Sequence, residues 1–216
     1  MSLTREDRKL REDCMQAALD AVDVVVCTCS TAMDPLISER VFQAVVIDEG
    51  GQCLGPDSLI PLLLGAERVV LIGDHKQLSP AENVKSEEAR AAGLGVSAFE
   101  RLMHAGNVPS IMLSVQYRMH PAISEFPSAE FYSTEDGKRR LFDGVTAADR
   151  ARDLPGFPWA KAEQPVMFLN VAGVEARPAG GTSFFNEKEV SVVCSLVERL
   201  VRSGATTDEI GIITPY

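Results

Sequence analysis

The sequence has 216 residues, of which 45% are hydrophobic and 24% are charged, a composition typical of a globular protein. The formal net charge of −10 argues against broad attraction to polyanions, although a few well-aimed amides, hydroxyls and arginines are enough to hold phosphates. The five cysteines form no CxxC pair, which argues against a disulfide framework or a zinc module and favours small buried thiols in a reducing compartment. The chain has no apolar run of about 20 residues and begins with charge rather than with a signal peptide, so the sequence predicts a cytoplasmic protein, with the nucleus as the alternative compartment.

Apolar side chains recur in two patterns along the chain, and these patterns predict its secondary structure. Helical spacing predicts a surface helix over residues 6–21. Short apolar runs, the first of them rich in β-branched residues, predict strands over 22–28, 44–47, 68–72, 108–115, 166–171 and 210–213. Gly55-Pro56 and Gly65 mark the two ends of a helix between the second and third of these strands. The alternation of strand, helix and strand predicts an α/β fold, in which a parallel sheet is flanked by helices and its apolar strands are buried on both faces.

The middle of the chain is interrupted by glycine and proline. Residues 86–106 predict one or two helices, with a break near residues 93–95. A short helix is predicted to begin at His120-Pro121 and to be interrupted by Pro127.

The last third of the chain combines an irregular stretch with a clear helix. Residues 133–165 are rich in glycine, proline and charge, and we expect an ordered surface excursion or a functional loop there because long structureless connections are uncommon. Asn186 and Glu189 predict a capping box at the start of a helix, and Gly204 predicts its end.

Acidic and amide side chains directly follow two of the predicted strands. Asp48 and Glu49 come after the run AVVI, and Asp74 and Gln77 come after the run VVLI. In open α/β sheets ligands bind outside the carboxyl ends of the strands, which is where these side chains fall. One carboxylate there would hold Mg²⁺ while its neighbour orients or deprotonates a water that attacks a terminal phosphate, and an amide would bind that phosphate or that water. The alternative is that the acidic pair merely begins a loop.

Four motifs occur in the order DEGGQ, GDHKQLSP, QYRMHP and IITPY. In this order and at these separations they resemble the motifs of superfamily 1 helicases of the up-frameshift type, which act in nonsense-mediated mRNA decay. The resemblance runs from about residue 10 to the last residue and includes the linking segments GLGVSAFERL, FPSAEFY, VTAADR and GGTSFFNEKE. The joint match is specific, whereas any one motif alone would be weak.

The resemblance implies roles at an ATP site for four residues. Asp48 and Glu49 would be the Walker B pair, the first for Mg²⁺ and the second for activation of water. Gln77 would contact the γ-phosphate. Arg118 would be an arginine finger, a task that suits a planar and permanently charged guanidinium. Without the motif, a surface ion pair would be the simpler interpretation of Arg118.

Four further residues would complete that site. Gln52 would help to couple the nucleotide to the neighbouring lobe. Gly73 and Asp74 would belong to the coupling loop that precedes the γ-phosphate sensor. Tyr117 would lie against the adenine base, and the alternative for it is a half-buried core aromatic.

Hydroxyl-bearing residues at two predicted strand ends would face a bound nucleic acid strand. Hydroxyls and backbone amides in such positions hold phosphates without distinguishing the bases. For the first strand end, an ordinary helix cap is the alternative. The residues concerned are Thr28, Ser30, Thr31, Thr214 and Tyr216.

The resemblance also implies an architecture and an activity. It predicts a P-loop NTPase fold with parts of two tandem RecA-like lobes, residues 1–110 with the Walker B pair and the coupling loop, and residues 111–216 with the arginine finger. It predicts an ATP-dependent helicase or translocase that uses ATP and Mg²⁺. The implied partners are single-stranded RNA or DNA and proteins of mRNA decay, with no membrane.

No G-x-x-x-x-G-K-[ST] motif, the loop whose amides and lysine cradle phosphates, occurs in the sequence. In the family that loop precedes the first matched residue, so the expectation is an internal piece of a longer protein that binds ATP poorly and hydrolyses little alone. Glycine at both middle positions of DEGGQ departs from the family and is expected to loosen the turn.

Two other hypotheses stay open on the sequence. One is a scaffold that derives from an ATPase and binds protein partners through its acidic surface. The other is an unrelated magnesium-dependent α/β hydrolase that uses Asp48, Glu49 and Asp74. The arginine-finger motif disfavours the hydrolase, since simple hydrolases seldom need one.

Overall fold

The computed structural model describes residues 4–161, 164–181 and 183–214. The chain divides into two compact units, one ending at Ile111 and the other beginning at Met112. Each unit contains a two-stranded parallel sheet and several helices, which agrees with the predicted α/β class. Among the described residues, no helix has the length and the apolar character needed to cross a membrane.

The first unit alternates helices and strands. In chain order its elements are α1 (Arg5–Asp20), α2 (Pro35–Ser38), β1 (Ala44–Ile47), α3 (Gly55–Leu62), β2 (Arg68–Leu71), α4 (Glu87–Ala91) and α5 (Ala98–Ala105). Three short 3₁₀ turns lie between them, at Ser30–Met33, Gly50–Gln52 and Pro80–Asn83. The predicted helix over 6–21, the predicted strands over 44–47 and 68–72, and the helix that begins at Gly55 are confirmed.

β1 and β2 run parallel and in register, with Ala44 opposite Arg68 at the start of the pair. Parallel strands need a crossover, and α3 supplies it. Pro56 stands in the first turn of α3, where no N–H is needed, and Gly65 follows the helix with φ +89°, a conformation that favours glycine. The carboxyl ends of the two strands therefore lie side by side, with an acidic residue following each.

The helical stretch after β2 is broken in two, as predicted. Gly93 follows α4 with φ +88°. α5 then begins after Ser97, whose fully buried hydroxyl accepts the backbone N–H of Glu100 at 3.0 Å. Gly106 ends α5 with φ +66°.

The second unit has fewer regular elements. They are β3 (Val115–Gln116), α6 (Pro121–Phe131), β4 (Phe142–Asp143) and α7 (Glu187–Arg202), with 3₁₀ turns at Ala148–Arg150 and Thr207–Glu209. β4, the first of these turns and a bridge between Ser133 and Arg139 all fall within residues 133–165. The predicted ordered excursion is therefore confirmed over its described part.

α7 begins and ends where the sequence predicts. The side-chain oxygen of Asn186 accepts the backbone N–H groups of Lys188 and Glu189, at 3.1 and 3.4 Å. The Glu189 carboxylate accepts from the side-chain amide of Asn186 at 3.0 Å, whereas a capping box would use the backbone N–H. Gly204 follows the helix with φ +101°.

Four of the six predicted strands are wrong or nearly so. Among the described residues, 22–28, 166–171 and 210–213 form no strand, and of 108–115 only Val115 belongs to one. β-branched residues favour an extended backbone, but a strand also needs a neighbour to pair its N–H and C=O groups. The sequence pattern reports the first condition and not the second.

The predicted burial of both faces of the sheet is also wrong. Ile47 is 5% exposed, but Val46 is 64% exposed and Val70 is 53% exposed. A parallel sheet is covered when helices pack on both faces, and within the described residues β1 and β2 receive cover on one side only.

Two smaller expectations fail. α6 continues through Pro127 rather than stopping there, because proline removes a single helical hydrogen bond and the hydroxyls of Ser124 and Ser128 hold this helix to Asp143 and to the Leu141 carbonyl. Most of the cysteines are not buried either. Cys14, Cys27 and Cys194 are exposed, whereas Cys29 and Cys53 are half-buried.

Candidate functional site

The chain turns sharply directly after β1. The backbone N–H of Glu49 donates to the Asp48 carboxylate at 3.0 Å, and Glu49 adopts φ 54° and ψ 33°. No other non-glycine residue has a positive φ in the part of the chain that the structure describes. For a residue with a Cβ atom this conformation costs on the order of 1 kcal/mol, and such strain is concentrated at functional sites. The strained turn presents two adjacent, exposed carboxylates at the edge of the sheet.

Gln52 holds the Glu49 side chain. Its Nε2 donates to Oε2 of Glu49 at 3.0 Å, and its backbone N–H donates to the Glu49 carbonyl at 2.9 Å. One carboxylate oxygen is thereby fixed while the side chain as a whole stays exposed. A carboxylate held in this way is oriented and still reachable by water.

The two glycines of DEGGQ allow the turn to pack closely against the chain that follows β2. The Gly50 backbone N–H donates to the Ile72 carbonyl at 2.8 Å. A Cβ atom on Gly51 would lie 2.8 Å from the Asp74 carbonyl oxygen, and one on Gly73 would lie 2.7 Å from the Gly51 nitrogen. The expectation that the glycine pair loosens the turn is wrong, because both glycines are buried and the missing side chains let the two strand ends touch.

The loop after β2 is ordered by Asp74. Its two carboxylate oxygens accept the Lys76 backbone N–H and Nε2 of Gln77, each at 2.9 Å. The Gln77 side chain is exposed and keeps its carbonyl oxygen and a second N–H for other partners. The structure thus brings the predicted residues of both strand ends together within the first unit.

The donor set at this edge suits Mg²⁺. Magnesium in phosphate-handling sites is held by one or two carboxylates together with waters and substrate phosphates. Asp48 fits that pattern because it is exposed and uses one oxygen for the neighbouring backbone N–H. Within the described residues no cluster of three or more His, Cys, Asp or Glu side chains forms a complete protein cage for a metal, and such a cage is not what Mg²⁺ requires here.

A cavity of about 260 Å³ lies next to this edge. Its lining residues are Gln52, Leu78, Ser79, Glu82 and Asn83. Because Gln52 also contacts Glu49, the cavity adjoins the acidic turn.

The predicted nucleic-acid residues near residue 30 form a local cap. The Thr28 hydroxyl accepts the backbone N–H of Thr31 at 3.1 Å and lies 2.7 Å from the Thr31 hydroxyl, while Ser30 is exposed beside them. This is the alternative that the sequence left open, and it leaves the exposed hydroxyls available to a ligand.

Burial raises the pKa of the Cys53 thiol to about 11, and a hydrogen bond and charge interaction with Cys29 add to the rise. That contact ties the cap to the turn that carries Gln52.

Tyr117 and Arg118 lie in the second unit, directly after β3. Tyr117 is 62% exposed, so it is not a core aromatic, and its ring lies against Gly144, where a Cβ atom would meet it at 2.3 Å. Arg118 is exposed, and no carboxylate among the described residues forms an ion pair with its guanidinium. Thr214 is exposed in the same unit, and Tyr216 lies outside the described residues.

Sequence reasoning missed two residues that hold this segment. Gln116 and Arg150 contact the backbone around Arg118 from two sides. Both stand inside segments that carry the family resemblance, Gln116 as the first letter of the motif QYRMHP and Arg150 as the last letter of the linking segment VTAADR. The signal for them was therefore their position in the motifs, since nothing in their residue type suggested a site.

Comparisons with known proteins place the chain in a family. A family model described as an AAA domain matches residues 94–216, and a second model with the same description matches residues 1–86. A protein named "Regulator of nonsense transcripts 1 homolog" from Neurospora crassa is 44% identical over 209 residues, which is 97% of this chain and 18% of the relative. "ATP-dependent helicase upf1" from Schizosaccharomyces pombe is 44% identical, and "ATP-dependent helicase NAM7" from Saccharomyces cerevisiae is 43% identical, each over 92% of this chain and 20% of the relative.

These matches confirm the resemblance that the four motifs suggest. The chain spans only 18% to 20% of the length of these relatives. The matched regions nevertheless extend over nearly the whole of the sequence, and the model for residues 94–216 alone covers more than half of it. The chain belongs to the AAA-domain family, among the superfamily 1 helicases of the up-frameshift type.

Proposed function

We propose that this chain carries part of the ATP-driven motor of a helicase or translocase that moves along single-stranded RNA or DNA and acts in nonsense-mediated mRNA decay. The observation that carries the proposal is the strained Asp48-Glu49 turn, which is fastened to the neighbouring strand end that bears Asp74 and Gln77. Relatives named as ATP-dependent helicases and as regulators of nonsense transcripts support it. In this proposal residues 1–110 and 111–216 are parts of two RecA-like lobes.

Glu49 acts as the base toward the attacking water. Gln52 fixes one oxygen of its carboxylate, which leaves the other to accept a proton from water. Asp48 would hold Mg²⁺, which when bound neutralises charge on the phosphates. The left-handed backbone at Glu49 lets the two adjacent carboxylates take these two different roles. The strained conformation thereby serves the proposed reaction.

Gln77 senses the terminal phosphate. One of its amide N–H groups donates to Asp74. The second N–H and the carbonyl oxygen form no hydrogen bond within the described part of the chain and would contact a phosphate oxygen and the attacking water. The Asp74 carboxylate thus sets the direction of the amide. The close contact of Gly51 and Gly73 gives this loop a direct mechanical link to the acidic turn.

Tyr117 and Arg118 supply the second unit's contribution. An exposed aromatic ring provides a face for adenine. An exposed guanidinium that forms no ion pair among the described residues is available to neutralise charge on the transferred phosphoryl group. An arginine finger of this kind contributes roughly 10³ to 10⁵ in rate. The hydroxyls of Thr28, Ser30 and Thr31 would bind the phosphates of the nucleic acid strand.

The test is the variant Glu49→Gln in the full-length protein that contains this chain. The amide keeps the size of the side chain but cannot accept the proton, so nucleic-acid-stimulated ATP turnover is expected to fall at least about 100-fold while ATP binding persists. Turnover is measured by phosphate release and binding by fluorescence of a labelled nucleotide. Glu12→Gln, at an exposed position of α1, is the matched control and should keep full turnover. Undiminished turnover in Glu49→Gln would overturn the assignment of the base.

A further inference from the structure

All four polar atoms of the two peptide groups that flank the Cα atom of Arg118 are bound by only two side chains. On the nitrogen side, the side-chain oxygen of Gln116 accepts the backbone N–H of Arg118 at 3.0 Å and that of Met119 at 2.7 Å. On the oxygen side, Nε of Arg150 donates to the Arg118 carbonyl at 3.2 Å, and its Nη2 donates to the Tyr117 carbonyl. Both peptide planes are thus fixed, and with them φ and ψ of Arg118.

Gln116 is itself anchored. Its Nε2 donates to the Met119 carbonyl at 2.9 Å and to the Asp143 carboxylate at 2.7 Å. Asp143 in turn accepts from the buried hydroxyl of Ser124 and pairs with Arg139 at 3.1 Å. The amide of Gln116 is therefore fully used, and its orientation is set by the strand pair β3 and β4 and by α6.

Arg150 is anchored from the other side. It ends the 3₁₀ turn Ala148–Arg150, which is held by mutual hydrogen bonds between Thr146 and Asp149. The Asp149 carboxylate accepts the backbone N–H of Thr146 at 2.8 Å and its hydroxyl at 2.7 Å, and these two bonds lower the pKa of that carboxyl. Nη1 of Arg150 donates to the Asp149 carbonyl at 3.2 Å. The guanidinium is thus directed at the Arg118 segment by its own turn.

We propose that Gln116 and Arg150 are positioning residues that together fix the backbone of Arg118 and so aim its exposed guanidinium. The role in catalysis rests on the proposed function of Arg118. A side chain with many free torsions delivers its charge efficiently only if its Cα–Cβ bond starts from a defined direction, and misplacement of a reacting group by about 1 Å costs on the order of 100-fold in rate. An exposed segment after a two-residue strand has no helix or sheet to define that direction, and the two side chains supply it.

The chemistry of the pair explains why these residue types stand here. A guanidinium presents donors in a planar fork that reaches two carbonyl oxygens at once, which the single ammonium of lysine does not match. The oxygen of a primary amide can accept two backbone N–H groups at once, and its own two N–H groups can donate to the atoms that anchor it. We therefore expect Arg150→Lys to lower kcat more than the same substitution at an ordinary surface contact would.

The closing experiment is a double-mutant cycle between Arg118 and Arg150 in the full-length protein that contains this chain. kcat and KM for ATP are measured at saturating nucleic acid for Arg150→Ala, Arg118→Ala and the double variant. If Arg150 acts through Arg118, Arg150→Ala lowers kcat about 10-fold or more in the native background and changes it less than about 2-fold when Arg118 is already alanine. Arg150→Lys should recover part of kcat.

The control variant is Arg152→Ala, two residues away, whose exposed side chain bridges Glu209 at 2.7 Å. It should keep native kcat. Losses that multiply in the double variant, or an unchanged kcat in Arg150→Ala, would overturn the positioning role.

A second measurement separates this inference from the proposed function. Hydrogen exchange of the Arg118 and Met119 amides reports the backbone directly and does not depend on ATP turnover. Exchange should accelerate about 10-fold or more in Gln116→Ala and Arg150→Ala and remain native in Arg152→Ala. If Arg118→Ala keeps full turnover while exchange still accelerates in Gln116→Ala and Arg150→Ala, the proposed role of Arg118 fails. The inference that Gln116 and Arg150 fix its backbone then stands. Native exchange rates in both Gln116→Ala and Arg150→Ala would show that these side chains do not fix the backbone of Arg118.

Discussion

Cys53 shows how the surroundings of one residue change its chemistry. Burial raises the pKa of its thiol from the ordinary value of 9.0 to about 11, and Cys29 and Asp57 add to the rise. The reactive form of a cysteine is the thiolate, so at pH 8 Cys53 should react with iodoacetamide on the order of 100-fold more slowly than an ordinary thiol. Its rate should then increase as the pH rises through about 11 rather than through 9.0.

Peptide mass spectrometry after timed alkylation measures each cysteine separately. Cys14 and Cys194 are exposed and serve as internal controls. Unfolding in denaturant should bring Cys53 to their rate. Equal rates in the folded protein would contradict the burial of this thiol.

The acidic turn shows what residue types reveal and what they conceal. Asp48 and Glu49 were identified from the sequence because an acidic pair after an apolar run is visible to inspection. The left-handed backbone of Glu49 was not, since it accompanies the close approach of Gly51 to the Asp74 carbonyl in the loop after β2, which no local pattern in the sequence reports. The glycine pair was misjudged for the same reason, because glycine in isolation signals freedom and here it permits close approach.

At the scale of elements, Asp143 joins β3, β4 and α6. Its carboxylate accepts from Ser124 first, and also from Gln116 and Arg139, and these contacts lower its pKa while burial opposes them. A pKa below the unfolded value of 3.8 means that the folded protein binds this proton less readily than the unfolded chain. The stabilisation is therefore complete above about pH 4 and is lost as the pH falls through the lowered pKa.

Ser124→Ala and Ser128→Ala test this dependence as a matched pair. Both serines are fully buried on α6, but only Ser124 donates to Asp143, whereas Ser128 donates to the Leu141 carbonyl and accepts from Nε of Arg139, the ion-pair partner of Asp143. Each variant should lower the free energy of unfolding at pH 7 by about 1–3 kcal/mol. Between pH 4 and pH 2, about the range where an Asp titrates, Ser124→Ala should lose less stability than the native protein. Ser128→Ala keeps the direct contact of Ser124 with Asp143 and should lose an amount closer to that of the native protein. Denaturant titrations at several pH values measure both, and equal acid dependence in the two variants would contradict the linkage.

Elements with local signals were predicted, whereas most of the predicted strands, which depend on a distant partner, were not found. The bounds of α3 and α7 follow from a proline, an asparagine and two glycines that act within one turn. Residues 166–171 form an apolar run, as β1 does, yet of these two segments only β1 meets a parallel partner among the described residues. β4 was not predicted at all, because its two residues pair with β3 through register rather than through composition.

At the scale of the whole molecule, the candidate residues divide between the two units. The acidic turn and the loop that carries Asp74 and Gln77 belong to the first unit, and Arg118, with the two side chains that hold its backbone, belongs to the second. The sequence assigned them to one motor through the order of four motifs rather than through any contact. The order of the motifs predicts which residues serve the same site, but it does not give the distances between their side chains.

The final prediction concerns the isolated 216-residue chain. Its sequence has no G-x-x-x-x-G-K-[ST] loop, and the backbone amides and lysine of that loop are what hold the β- and γ-phosphates. The chain by itself is therefore expected to show no ATP turnover above background and to bind ATP with a Kd weaker than about 1 mM, which corresponds to about 4 kcal/mol or less of binding free energy. Phosphate release and calorimetry measure the two quantities, with Glu49→Gln in the same chain as the control for contaminating ATPases. Turnover that exceeds background in the native chain and disappears in Glu49→Gln would contradict the prediction, because it would show that the chain holds the phosphates by other groups.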